Sequence, residues 1–243
     1  MTKIVIVGPG RLGRSAHAIL SRRNISCTMV GKNVPIPRGS IYYLTVPDKE
    51  LYTACGAVPK EGLVIHASGT YDHTVLRPRY PAAVVHPLMT FPGPEIALPS
   101  GRIPASVCAD KEVLLQAEEF AQAMNFSPFS FDASRKRYHC AAVVAGNFST
   151  FLLQLAGQIM SKDSDLTPAE CMNQLLPLAQ QSLQNALLGD LNETLTGPIA
   201  RGDSETVQNH QEGLSSLSPH FSHLYDEMTI AIRKHLKWEK EIE

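Results

Sequence analysis

No C-x-x-C pair occurs in this sequence, and its five cysteines, at 27, 55, 108, 140 and 171, are odd in number and far apart. That pattern excludes a disulfide framework and fits a reducing compartment. No sign of charge dominates either. Lys and Arg number 22 against 23 Asp and Glu, so nothing in the balance supports a nucleic-acid or polyanionic partner. No long apolar run is uninterrupted. The longest, 141–157, is broken by Asn147, Ser149, Thr150 and Gln154; it predicts a buried helix rather than a membrane span. No leader-like segment precedes the first apolar stretch, which makes the cytoplasm the expected location. Internal repeats and low-complexity segments are absent.

What is present starts at once. Residues 3–13 read KIVIVGPGRLG. An apolar strand runs into Gly8, Gly10 and Gly13, and a helix-compatible run follows. In that context G-x-G-x-x-G is a dinucleotide fingerprint: the first glycine permits the tight strand exit, the second lets backbone approach a pyrophosphate, and the third lets helix pack on sheet. Pro9, Arg11 and Leu12 complete the loop, and the helix N-terminus offers unpaired N–H groups to the anion. A reader of the NAD ribose diol needs Asp or Glu after the second strand. Here Gly31, Lys32 and Asn33 follow CTMV. Lys32, with Arg11, suits a 2′-phosphate, which favours NADP(H) and leaves NAD(H) possible; FAD shares the fingerprint.

Further strands are expected at 26–30, 41–46, 63–67, 83–85, 103–108 and 126–131, alternating with helices. Such continuous apolar strands predict a mostly parallel sheet covered on both faces. Asp110 is expected to cap a helix over 111–124. The loops at Val46-Pro47 and Ser68-Gly69 end strands at the edge where open α/β sheets hold ligands. His86 ends the next strand and can reach the same crevice. From Asp132 onward the chain reads as helical, placing a boundary at 131/132. Ser134 is expected to cap a helix to about 160. Thr167-Pro168-Ala169-Glu170 is a capping box opening a helix to about 188, which Pro177 should kink or divide. Asp203 or Ser204 should cap a helix to about 215, and Ser218-Pro219 should open a last one to about 240.

The ordered series IVGPGRLG, LTVPDKEL, IHASGT, HPLMTF, YHCAAVVAGNF and LTGPIARGD resembles the Rossmann-like plus DUF2520 family. The wider group includes reductases built like pyrroline-5-carboxylate reductase, ketopantoate reductase and F420-dependent NADP reductase. The resemblance implies an N-terminal NADP-binding domain over 1–131. Over 132–243 it implies a helical domain like the C-terminal domain of 6-phosphogluconate dehydrogenase, with a homodimer formed through the helices. It implies an oxidoreductase without naming a substrate.

His139, Val143 and Asn147 share one face of the expected long helix. Imidazole titrates near neutrality, so His139 is the candidate general acid. Asn147 is the candidate to orient a small carbonyl, imine or hydroxyl substrate. Related hydroxyacid dehydrogenases carry a catalytic lysine one turn before the asparagine; here that position is Val143. The departure keeps open a non-catalytic, NADP(H)-binding or redox-sensing role exercised through a helical dimer surface. Arg201, in the loop 196–203, can clamp a carboxylate or phosphate, which makes an anionic substrate the expectation. Asp203 is expected to cap a helix, with His210 further along it and able to face the crevice. His220, His223 and Asp226 drift around their helix instead of stacking, and no metal site is expected.

Overall fold

The computed structural model describes residues 3–131 and 134–240, the side chains of 237–240 excepted. The chain divides into two compact units, Met1–Asn147 and Phe148–Glu243. The expected boundary at 131/132 falls on Asp132, which lies outside the described residues. The architecture is a Rossmann-like mixed-sheet domain followed by an all-α domain.

The first unit is built on seven strands: β1 Ile4–Val7, β2 Cys27–Val30, β3 Ile41–Leu44, β4 Leu63–His66, β5 Ala82–Pro87, β6 Ile103–Ala109 and β7 Phe126–Ser130. They form one sheet in the order β2-β1-β3-β4-β5-β6-β7. Every pairing is parallel except β5 with β6. Helices α1 (Arg11–Arg22), α2 (Leu51–Ala57) and α3 (Leu114–Ala123) connect strands, and short 3-10 turns occupy Asp48–Glu50, His73–Leu76 and Lys111–Val113.

Strand alternation gives the two faces of this sheet different chemistry. One face is apolar from edge to edge. Ile4 and Ile6, Ile41 and Tyr43, Leu63 and Ile65, Ala83 and Val85, and Ala105 and Val107 are buried there with Leu20 of α1 and Phe120 of α3. The other face begins apolar, with Val5, Val7, Tyr42 and Leu44. It turns polar across β4–β6, where Leu44 pairs with His66, His86 with Ser106, and Val84 with Cys108. His66 and Ser106 are completely buried. Groups of that kind persist inside a protein only when hydrogen-bonded, so this half of the sheet requires a polar layer above it.

Asp110 does not cap α3 as expected. Its carboxylate instead takes two hydrogen bonds from Arg77 and one, at 2.8 Å, from the backbone N–H of Ala82. A charged partner outcompetes a helix cap. The 3-10 turn precedes α3 without a side-chain cap.

The run from 135 is not one regular helix. α4 (Arg135–Val143) passes through a π turn at Val144–Phe148 into α5 (Ser149–Met160). Ser134 stands at the N-cap position without making the capping bond. The expectation of a buried helix over 141–157 is corrected: Val144, Phe148, Phe151 and Leu152 are 49, 55, 49 and 38 % exposed. Among the described residues these apolar side chains are left at the surface, because apolar composition alone does not place a helix in a core. Residues Arg135–Met160 are long and apolar enough to cross a membrane by length and composition.

In the second unit α5 packs on α6 (Pro168–Asn185), which opens with the capping box expected from Thr167 and Glu170. Pro177 does not divide α6, which continues through it; proline removes one ladder donor, and packing on α5 holds the rest. Short helices α7 (Leu191–Thr194) and α8 (Pro198–Arg201) lead to α9 (Ser204–Leu217) and α10 (Pro219–Lys240). Asp203 caps α9, accepting from the N–H of Thr206 at 3.1 Å.

Candidate coenzyme loop and the polar cleft beside it

The glycine loop forms at the carboxyl end of β1. Gly8 adopts φ +112°, where a side chain is strained, and the Thr45 hydroxyl donates to its carbonyl at 2.8 Å. A Cβ on Gly13 would collide with that same carbonyl, so α1 can approach the strand only with glycine there. Gly10 differs. The nearest heavy atom to a Cβ built on it is 3.9 Å away, so the side of the loop to which that Cβ would point is open. Gly10 is also the N-cap of α1, with no side-chain cap and no acidic residue in the first turn. Open space, uncapped N–H groups and the helix dipole together fit a pyrophosphate.

Arg11 and Lys32 are both exposed. Gly31 lies against Pro9, a built Cβ being 3.6 Å from the Pro9 ring, so the turn after β2 sits beside the glycine loop. Val46 and Pro47 follow β3 on the same edge. Ser68 and Gly69 follow β4 and are buried.

From the loop a crevice of about 260 Å³ runs between Arg11 and Leu12 on one side and Ala67, His86, Pro87, Met89 and Phe91 on the other. His86, Pro87 and Met89 also line a larger cleft of about 700 Å³ whose far wall is α4 and its π turn, including Tyr138, His139, Val143 and Asn147. The structure thus brings His86, His139 and Asn147 to one cleft. Asn147 is exposed at its rim, inside the π turn; turns of this type displace the helix ladder and often mark functional sites.

The cleft floor is a hydrogen-bonded layer. A Cβ on Gly69 would meet both the His139 ring and Nε2 of His86, so both histidines rest on the Ser68-Gly69 backbone. Nδ1 of His139 is 3.1 Å from the Thr70 hydroxyl. Nδ1 of His86 is 2.8 Å from the Tyr138 hydroxyl. Below them His66 accepts from the Ser68 N–H at Nδ1 (3.1 Å) and donates from Nε2 to the Asp72 carbonyl (3.0 Å). Arg135 is buried, donating to the Ser106 hydroxyl at 2.6 Å and the Ser68 carbonyl at 3.1 Å, with its guanidinium 4.7 Å from the centre of the Tyr138 ring.

Burial, and then the positive charge of Arg135, push the pKa of His86 down to about 4. Burial does the same to His66, also to about 4. Both rings are therefore neutral at physiological pH. Burial raises the Tyr138 phenol, against the opposing pull of a Ser106 hydrogen bond and Arg135.

Arg201 and His210 belong to the second unit. Arg201 is exposed at the end of α8. His210, on α9, is engaged at Nδ1 by the Tyr225 hydroxyl of α10 at 2.8 Å. Sequence reasoning gives no role to Arg135, Ser106 or Tyr138, while Thr70 belongs to the expected Ser68-Gly69-Thr70 loop. The available signal was polar side chains two apart in strands otherwise fit for burial, Ser106 and Cys108 above all.

The chain belongs to the DUF2520 family, described as a domain of unknown function, whose model matches residues 103–232. Its fold is shared with a Bacteroides fragilis protein assigned as an NADP oxidoreductase (TM-score 0.80, 20 % identity, 96 % of this chain and 98 % of that one). A Thermotoga maritima protein is similar (0.71, 21 %, 98 % and 99 %). Pyrroline carboxylate reductase of Plasmodium falciparum, solved with NADP bound, shares the fold more distantly (0.61, 13 %, 96 % and 98 %). No curated protein matches the sequence.

Proposed function

We propose that this protein is an NADP(H)-dependent oxidoreductase that moves a hydride to or from a small carbonyl, imine or hydroxyl compound. The observation that carries the reading is the continuity of the glycine loop with the polar cleft: His86, Pro87 and Met89 line both the crevice beside Arg11 and the cleft beside His139. The shared fold of an NADP-bound reductase supports the coenzyme class.

In this reading the backbone of Gly8, Gly10 and Gly13 takes the pyrophosphate, with Pro9 and Leu12 shaping the loop. Arg11 and Lys32 take the 2′-phosphate. Val46 and Pro47 line the adenosine side, and Ser68 and Gly69 the nicotinamide side. Bound coenzyme supplies the hydride. His139 is the proton donor, its ring oriented by the Thr70 hydroxyl beside Nδ1. Asn147 orients the substrate from the rim. His86, neutral and tied to Tyr138, shapes the cleft wall. Arg201 is the candidate cation for a substrate carboxylate or phosphate. The exposed apolar residues of the π turn and α5 support a homodimer, and we place the protein in the cytoplasm.

A second reading keeps the coenzyme and drops the chemistry. Val143 lines the cleft where related dehydrogenases carry lysine, which favours an NADP(H) sensor. Fluorescence titration with NADPH and NADH, followed by a panel of small ketones, imines and alcohols, separates the two. NADPH preference with turnover supports the reductase. Tight binding with a blank panel supports the sensor. Binding of neither coenzyme removes both.

A further inference from the structure

Away from the cleft, on the part of the sheet where β5 begins, three side chains stand in series. Sγ of Cys108 on β6 is 3.2 Å from Nδ1 of His73. Nε2 of the same ring is 3.3 Å from Oδ1 of Asp110. We propose that Cys108 is an activated thiol that reacts with small peroxides, with His73 as its proton acceptor and Asp110 as the group that holds the imidazole.

The arrangement has the parts a nucleophilic thiol requires: a base within reach, and a third group that fixes the base. Asp110 is held rigidly by Arg77 and the Ala82 N–H, and the Arg77 hydrogen bonds keep its carboxyl below the ordinary range, hence ionised. A carboxylate can only accept, so Nε2 carries the ring hydrogen and Nδ1 presents its lone pair to the thiol. The Arg135 guanidinium lies within electrostatic range of Cys108, and the hydrogen bonds of its Nη atoms go to neutral oxygens, so its charge is available to a thiolate. Cys108 is partly exposed, while the His73 side chain is 16 % exposed. That degree of access suits a two-oxygen molecule better than a bulky disulfide.

The step balances as follows. Cys108 passes its proton to Nδ1 of His73, and the thiolate sulfur attacks one peroxide oxygen. An S–O bond forms, the O–O bond breaks, and the departing hydroxide takes the proton from His73. The products are a sulfenic acid and water; sulfur is oxidised by two electrons and peroxide reduced by two. None of this rests on the coenzyme reading.

Exposure and activation make opposite forecasts, because Cys140 is exposed and Cys108 is only partly so. The full-length protein is treated with limiting hydrogen peroxide, sulfenic acid is trapped with dimedone, and each cysteine peptide is followed by mass spectrometry. Cys108 is expected to be trapped at least about tenfold faster than Cys140. Equal rates, or a faster Cys140, overturn the proposal. His73→Gln, checked for folding by circular dichroism, should slow Cys108 by about tenfold and leave Cys140 unchanged. An unchanged Cys108 rate in folded variant overturns the role of His73. Should that variant fail to fold, the wild-type comparison still decides.

Discussion

The Tyr138 hydroxyl and Nδ1 of His86 lie 2.8 Å apart, joining α4 to the end of β5. The phenol also meets the His86 ring edge-on, at a centroid distance of 5.4 Å. Tyr138 is 6 % exposed, so this bond forms where water cannot readily replace it, and both partners depend on it.

Tyr138→Phe keeps the ring and deletes the bond. We expect a loss of ~1–2 kcal/mol in urea denaturation, the cost of leaving a buried polar atom unpaired. Coenzyme affinity should change by less than about twofold, because Tyr138 lines the cleft and not the crevice beside Arg11. A large fall in NADPH affinity would show that His86, which lines the crevice as well as the cleft, depends on Tyr138 for its place there.

Two alanine substitutions in the glycine loop should behave oppositely. Gly10→Ala has room for its methyl group in the protein itself but intrudes on the space assigned to the pyrophosphate. It should fold with a stability loss below ~1 kcal/mol and bind NADPH at least about tenfold more weakly. Gly13→Ala drives a methyl into the Gly8 carbonyl and should cost ~2 kcal/mol or more. Paired thermal melts and fluorescence titrations check both. Unimpaired NADPH binding by folded Gly10→Ala would remove the pyrophosphate from this loop.

The buried histidines set the acid limit of the fold. Their pKa values are lowered to about 4, against ~6.5 in an unfolded chain. Between those values the unfolded state binds more protons than the folded state, so stability rises with pH across the window. The contribution is complete above ~6.5 and declines as pH falls toward about 4. For His66 it is ~3 kcal/mol. Denaturation midpoints measured from pH 7 to pH 4 should fall steadily, and His66→Gln should flatten the slope. A wild-type midpoint independent of pH across this range would contradict the neutral assignment.

Much of the fold was legible because it rests on local, additive signals. The run KIVIVGPGRLG carries strand, turn and helix start within eleven residues, and β1 and α1 lie where that text puts them. The Thr167 box and the Asp203 cap were equally readable, since a cap needs only its neighbours three residues on. The failures were tertiary. Asp110 had the sequence context of an N-cap, but Arg77, 33 residues earlier, claims its carboxylate. Arg135 reads as one more solvated charge in RKRYH until the fold places it under Tyr138. The π turn at Val144–Phe148 leaves no simple mark in the sequence, so the run to about 160 reads as one regular helix, buried over 141–157. His139 and Asn147 share one cleft because both lie on its α4 side, as their spacing along the helix implies. What connects them to His86 and Thr70 is strand pairing, which sequence alone does not reveal.

The division of labour between the two faces of the sheet has an evolutionary consequence. The apolar face of Ile4, Ile41, Ile65, Val85 and Val107 secures the backbone, so residues on the polar face of β4–β6 can be exchanged without dismantling the architecture. A change at His86, Ser106 or Cys108 alters the polar layer and leaves the apolar core alone, but each leaves a partner (Tyr138, Arg135 or His73) to be satisfied anew. The neighbours that share this fold at 13–21 % identity share its framework, and a framework by itself does not say which chemistry each protein carries.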